Sequence, residues 1–329
     1  MDAIKILTVL GTPEGRADPY PLYAQLHELG QAVEIGPGQV MVIGYDANNS
    51  VLRDPGFRVS DESSFDQGYP AWRENPVFVQ AADWILNLNG PRHSRIRSLM
   101  ARAFTARRVA GLEPAIARLA DGLLDAMADR GSDGGTVEFM HDFAYLLPVT
   151  VICELIGIPD ADREGFRPLA RDLVGVFELN DITTLPAINA AAVELLAYFT
   201  ALAAERRAEP RDDLLSDLLA VSDADHDRLT DAELLHNLTL LLVAGFETTT
   251  NLLGNGLQIV LQDPPADGGP LSFGGGAHFC IGAALARLEG AVAFPRLLRR
   301  FPKISAAGEP TRRDTFLLRG FEALPVTVA

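Results

Sequence analysis

Apolar positions recur at helical spacing along most of the chain. Leu22, Leu26 and Leu29 share one face of a stretch that starts at Asp18-Pro19-Tyr20 and stops at Gly30, which predicts a short helix. Ala32 to Ile35 and Val40 to Ile43 flank Gly36-Pro37-Gly38 and read as a β-hairpin. From Asp61 to Asn89 the periodicity fails. Phe65, Tyr69, Trp72, Phe78 and Trp84 stand there in what reads as a long irregular loop, a kind of segment that is usually surface or functional. The helical pattern returns at Gly90-Pro91, with proline near the first position, where its missing N–H costs nothing. It runs strongly apolar from Val109 to Ile158, broken at Gly131-Ser132-Asp133-Gly134-Gly135. Further helices are predicted from about Asp162 to Phe177 and from about Pro186 to Arg207, and Asp212-Asp213-Leu214-Leu215 opens another.

Thr230-Asp231-Ala232-Glu233 has the spacing of a capping box, so a helix should begin at Asp231. It continues apolar through Leu234, Leu235, Leu238, Leu241 and Leu242 into Ala244-Gly245-Phe246-Glu247-Thr248-Thr249. A glycine, an acid and successive threonines are poor helix material inside a buried segment, and something must be gained from the departure. The pattern as a whole predicts a mainly α fold with a small β region. No repeat, low-complexity tract or linker divides it, so residues 1–329 read as a single domain.

Composition is that of a soluble globular protein, 48% hydrophobic and 22% charged. A formal charge of −16 argues against a general nucleic-acid binder. Two cysteines, Cys153 and Cys280, cannot build a disulfide framework, which points to a reducing compartment. The apolar run in Met1 to Leu10 is too short for a signal peptide, and no segment reads as long and apolar enough to span a bilayer. The expectation is a cytoplasmic protein with no membrane partner.

Cys280 stands between a glycine-rich turn and the start of a helical pattern. Gly274 to Gly276 can adopt positive φ and let a flat ligand approach the backbone closely. Orphan N–H groups and the positive end of the helix dipole would lie near the sulfur and favour thiolate. Such a sulfur suits a haem iron. It also suits a redox-sensing thiol without haem, and a lone cysteine is in general a small buried hydrophobe. His93 and Arg97 are four residues apart on one helical face, a spacing that suits an anionic ligand or a solvated surface.

Phe-Gly-x-Gly-x-His-x-Cys-x-Gly, read from Phe273 to Gly282, resembles the cysteine-ligand signature of the cytochrome P450 family of haem-thiolate monooxygenases. Ala-Gly-x-Glu-Thr, from Ala244 to Thr248, is similar to that family's oxygen-side helix. The resemblance implies haem b (iron protoporphyrin IX) with Cys280 as the iron ligand. It places Phe273 against the sulfur, and Gly274, Gly282 and Ala286 beside the macrocycle. It gives His93, Arg97 and His278 to the propionates and sets Ala244 and Gly245 over the ring. Glu247 would relay protons and Thr248 would order oxygen and water. The implied reaction inserts one atom of O2 into a small apolar organic substrate. Electrons would come from an acidic ferredoxin-type donor, which the arginines between Arg92 and Arg118 and the cluster Arg296, Arg299, Arg300 and Lys303 would attract. In the family the loop corresponding to 61–89 lines the distal pocket, so its aromatics become candidate substrate contacts. Phe316 to Val328 resembles the closing strands.

One feature departs from the family. Thr248 and Cys280 are only 32 residues apart, and the Glu-x-x-Arg helix, with the strands and meander that follow it in the family, is missing between Gln262 and Gly268. The chain reads as internally shortened near residues 262–268. Its loss removes support for the cysteine loop and leaves Val40 to Ile43 as an unpaired strand edge. A non-catalytic haem-binding or degenerate member of the family is the alternative that this gap raises.

Overall fold

The chain begins with a small unit of its own. Helix α1 (Ala3–Leu10) is capped by Asp2, whose carboxylate accepts from the Lys5 N–H at 2.9 Å. Together with α2 (Pro13–Ala17), α3 (Tyr20–Leu29) and the antiparallel hairpin β1 (Ala32–Gly36) and β2 (Gln39–Val42), it encloses a separate core of Ala3, Ile6, Leu10 and Leu26. The hairpin is a two-stranded sheet that pairs with no other strand among the described residues, and Val40 on it is exposed. Helix α4 (Tyr45–Arg53) follows, tied back to β2 by the Asn48 amide donating to the Val42 carbonyl at 3.2 Å. This is a computed structural model, and it describes residues 2–178, 182–224, 229–262 and 271–329. The expected shortening near 262–268 falls, beyond Gln262, outside the described residues.

The segment expected to be an irregular loop is helical in short pieces. Helix α5 (Glu62–Gly68) starts at an Asp61 capping box, a 3₁₀ turn covers Pro70–Glu74, and α6 (Pro76–Ala81) begins on a second proline. Elements of five to seven residues are too brief to display a 3.6-residue period. Their aromatics lock them together: Phe65 meets Trp72 edge-on at 5.6 Å, and Tyr69 meets Phe78 at 5.5 Å.

The main bundle comprises α7 (Gly90–Ala103), α8 (Ala106–Gly111), α9 (Glu113–Gly131), α10 (Leu146–Ile156), α11 (Asp160–Val174), α12 (Leu185–Ala208), α13 (Leu214–Ala224), α14 (Asp231–Gln262) and α15 (Ala283–Arg300). Strand β3 (Thr136–Glu138) lies between α9 and α10, and β4 (Ser305–Ala306), β5 (Thr311–Arg312), β6 (Phe321–Ala323) and β7 (Pro325–Thr327) follow α15. Strand β7 pairs antiparallel with both β3 and β4, and β5 pairs with β6. The expected closing strands are therefore β6 and β7. Residues Phe316 to Leu318 instead form a turn whose three N–H groups donate to the Glu178 carboxylate at 2.7 to 2.8 Å.

Helix α14 is the axis of the bundle and packs against α10, α11, α12 and α15. The capping box at its start is present: the Thr230 N–H donates to Glu233 at 3.0 Å and the Glu233 N–H to the Thr230 hydroxyl at 3.1 Å. Its glycines admit neighbours at close range. A Cβ on Gly245 would lie 2.6 Å from Ile152 of α10, and one on Gly256 would lie 2.3 Å from the Phe294 ring of α15. Helix α12 corrects one expectation, because by length and composition it could cross a membrane. Here it lies within the bundle, where Ile188, Leu195 and Phe199 are buried.

Candidate functional site

The cysteine loop is a tight turn closed on itself. The Gly274 N–H donates to the Leu271 carbonyl at 2.8 Å, and the Cys280 N–H to the Phe273 carbonyl at 2.9 Å. Gly274 and Gly276 have φ of 68° and 59°, the left-handed region that glycine alone enters freely, whereas Gly275 is extended. Phe273 packs under the Arg287 guanidinium, 4.6 Å from its ring centre, and faces Phe279 at 6.4 Å. Among the described residues a Cβ on Gly282 would meet nothing nearer than the Cys280 sulfur at 3.8 Å, so a side chain there would crowd only the sulfur.

Helix α15 opens three residues after Cys280, and the N–H groups of Gly282 and Ala283 point at the thiol as expected. Cys280 is exposed as a residue, yet desolvation of its sulfur by the surrounding protein is the largest influence on the thiol. It outweighs those N–H groups and the nearby Arg97 and Arg287, so the thiol lies above its ordinary pKa rather than below it.

Cys280 faces α14 across a cavity of about 160 Å3 whose walls include Ala244, Gly245, Thr248 and Thr249 on one side and Ala286 on the other. The Thr248 hydroxyl donates to the Ala244 carbonyl at 2.7 Å. Glu247 points elsewhere. It is buried, accepts from the Asn251 amide at 3.1 Å and from Arg313, and lines a second cavity of about 640 Å3. Of the expected catalytic pair, only Thr248 shares the cysteine's cavity.

A second acid lies at the site, one that the motifs do not mark. Glu289 lines the Cys280 cavity, is 1% exposed, and its Oε2 has no hydrogen-bond partner. Burial alone raises its pKa to about 8. The signal was present in the sequence, because Leu285, Glu289, Val292 and Ala293 follow i, i+4, i+7, i+8 spacing and put an acid on an apolar face.

His93 and Arg97 of α7 reach the same loop. The His93 ring, buried, stands 4.2 Å from that of His278, and its Nε2 is without a partner. Arg97 donates to the Phe279 carbonyl. Burial first, then the positive neighbours His278 and Arg97, push the His93 pKa down to about 4; burial and Arg97 lower that of His278. None of the three pairs with a carboxylate among the described residues.

Other expected contacts are spent elsewhere. Arg92 pairs with Glu62, Asp83 and Glu233, Arg108 with Asp212 and Asp217, Arg296 with Asp121 and Arg300 with Asp125. Much of the basic cluster is thus matched within the chain. The aromatics of 61–89 do not line the Cys280 cavity: Trp72 and Trp84 are buried, and Trp84 packs on Phe177 at 5.8 Å.

The donors present fit a haem. A sulfur faces a wall of small residues, and two imidazoles and a guanidinium converge without a carboxylate partner among the described residues, one of them with an orphaned buried nitrogen. The gap itself is below the roughly 300–1,000 Å3 usual for ligand pockets, so its walls must part to admit a macrocycle.

No protein-family model matches the chain. It is 32% identical to the cytochrome P450 monooxygenase PikC of Streptomyces venezuelae, over 94% of this chain and 91% of that one. It is 34% identical to the vitamin D(3) 25-hydroxylase of Pseudonocardia autotrophica, over 78% and 82%. Its fold is similar to that of P450BioI, solved in complex with an acyl carrier protein ligated to hexadec-9Z-enoic acid, with a TM-score of 0.85, 26% identity, and 96% and 100% coverage. The alignment with PikC has 397 positions but takes in 94% of 329 residues, about 309, which leaves about 88 positions without a counterpart here.

Proposed function

The chain belongs to the cytochrome P450 family, and from that membership we propose a cytoplasmic monooxygenase that inserts one atom of O2 into a small apolar organic molecule. Haem b is its cofactor and an acidic ferredoxin-type protein its electron donor. Residues 1–329 form one catalytic domain, internally shortened near 262–268, and the PikC alignment supports a gap of that order. The observation that carries the reading is that the Cys280 sulfur and the Thr248 hydroxyl open onto one cavity, beside a cysteine loop that His93, with its buried Nε2 orphaned, and Arg97 reach from α7 with no carboxylate pairing either among the described residues.

The haem, when bound, supplies the iron at which O2 is reduced. Cys280 is its ligand, and the N–H groups of Gly282 and Ala283 hold negative charge on the sulfur. His93, Arg97 and His278 hold the propionates, which give the orphaned His93 Nε2 an acceptor. Phe273, Gly282 and Ala286 would hold the haem on the cysteine side and Ala244 and Gly245 on the other, as they wall the cavity between, and Gly274, in the left-handed turn before the cysteine, would keep the loop backbone close to it. The Thr248 hydroxyl can rotate from the Ala244 carbonyl to hold a water in the cavity. Glu247, on the far face of α14, takes protons from solvent through the larger cavity it shares with Arg313. For the donor protein, Arg287 beside the loop offers a cation with no carboxylate partner among the described residues.

The test supplies the purified chain with haem, a ferredoxin and its reductase, and screens apolar substrates under labelled O2. A product carrying one labelled oxygen atom is expected. Electron consumption without labelled product across the screen would contradict the reading.

A further inference from the structure

The backbone of the cysteine loop rests on the small N-terminal unit. Gly276 abuts the last turn of α4 so closely that a Cβ there would lie 2.1 Å from the Leu52 carbonyl oxygen and 3.1 Å from the Arg53 Cα. A Cβ on Gly275 would lie 3.3 Å from the Leu52 Cβ and 3.7 Å from the Arg53 Cγ. Helix α4 is in turn fixed to the hairpin by Asn48, which bonds the carbonyls of Val42 and Gly44 at 3.2 and 3.0 Å. Contacts therefore run from β2 through α4 to the turn that holds Cys280. The loop's other supports come from α7, through Arg97 and His93, and from α15, through Arg287.

We infer that Leu52 and Arg53, at the end of α4, are positioning residues for Cys280, and that Gly275-Gly276 are small in order to seat the loop on them. A chain that lacks about 88 of the positions aligned in PikC has fewer elements to hold this loop, so the brace from the N-terminal unit fixes where the sulfur points. The role matters for catalysis only if Cys280 is the iron ligand. The contact itself is testable without haem.

Thiol labelling reads the brace directly. Cys153 is fully buried with its pKa pushed up to about 12, so a disulfide reagent added to the folded haem-free protein reports on Cys280 alone. Gly275 is extended, so Gly275→Val adds bulk against Leu52 with no left-handed strain. It is expected to speed labelling about fivefold or more as the loop lifts from its seat. Leu52→Gly in the same chain removes the facing Cβ and should return the rate to within about twofold of the parent, a coupling expected only between residues in contact. Gly276→Ala and Gly274→Ala form a second pair. Both place alanine at positive φ, but a Cβ at 274 meets nothing nearer than the His278 carbonyl at 3.8 Å. Only the former should change the rate as Gly275→Val does. Unchanged labelling in Gly275→Val, failure of Leu52→Gly to restore it, or equal effects at 274 and 276 would overturn the inference. A parent protein that takes up no haem would remove the proposed function and leave the labelling result standing.

Discussion

Replacing Glu289 by glutamine should change how stability depends on pH, and the size of the change follows from burial. Glu289 is 1% exposed, no salt bridge reaches it among the described residues, and burial raises its pKa from an ordinary 4.5 to about 8. The unfolded chain releases this proton near 4.5 while the folded chain keeps it to about 8, so between those values the native state binds the extra proton. The stability contributed by the neutral acid is therefore complete below pH 4.5, declines as pH rises, and levels off above 8. At ~1.4 kcal/mol per pH unit over that interval, the loss is roughly 5 kcal/mol. Glutamine has no proton to lose. Urea unfolding of haem-free parent and Glu289→Gln from pH 5 to 8.5 should give similar free energies at the acid end and diverge by several kcal/mol, in favour of the variant, at the alkaline end. His93 acts in the opposite sense, since its depressed pKa makes stability rise with pH between about 4 and 6.5, but it is common to both proteins and cancels in the difference. Parallel curves, with a pH-independent difference, would refute the reasoning.

Three further outcomes follow from packing and charge. Gly245→Ala drives a Cβ to 2.6 Å from Ile152 and should cost about 1–3 kcal/mol in thermal unfolding, with Ile152→Val recovering part of it; no loss would contradict the α10–α14 packing. Glu233→Ala removes the carboxylate half of the α14 capping box, the acceptor for the Thr230 N–H, and leaves Arg95 and Arg92 without their shared partner, so a loss of about 3 kcal/mol is expected in urea, against near-neutrality if the network is ornamental. By NMR of the haem-free protein, His93 should titrate near 4, and Arg97→Ala should move it upward because a positive neighbour has gone; an unmoved titration would show that Arg97 does not bear on the ring.

The parts of the fold that declared themselves in the sequence are those with strong local signals. Thr230 and Glu233 are three residues apart and form the reciprocal cap that their spacing predicts. Gly36-Pro37-Gly38 turns the hairpin, and the glycines before Cys280 supply positive φ at 274 and 276. The cysteine stretch and the Ala244–Thr248 stretch do meet, because α14 crosses the start of α15. What stayed hidden is relational. Periodicity could not see α5 and α6, which are shorter than two helical turns and are set by an aspartate cap and a proline. Motif spacing placed Glu247 beside Thr248, but adjacent residues on a helix point about 100° apart, and Arg313, distant in sequence, draws the carboxylate to the other face. Counting arginines could not show that Arg92, Arg108, Arg296 and Arg300 find acids from other helices. Nor could a helix start foretell that desolvation of the Cys280 sulfur outweighs its N–H groups.

The most direct test of the central claim is the absorption spectrum of the haem-supplied protein, reduced and exposed to carbon monoxide. If Cys280 ligates the iron as thiolate from the loop seen here, the Soret band lies at the strongly red-shifted position that thiolate ligation gives, and Cys280→Ala abolishes it. A band typical of neutral-thiol or histidine ligation, or no haem uptake, would contradict the account.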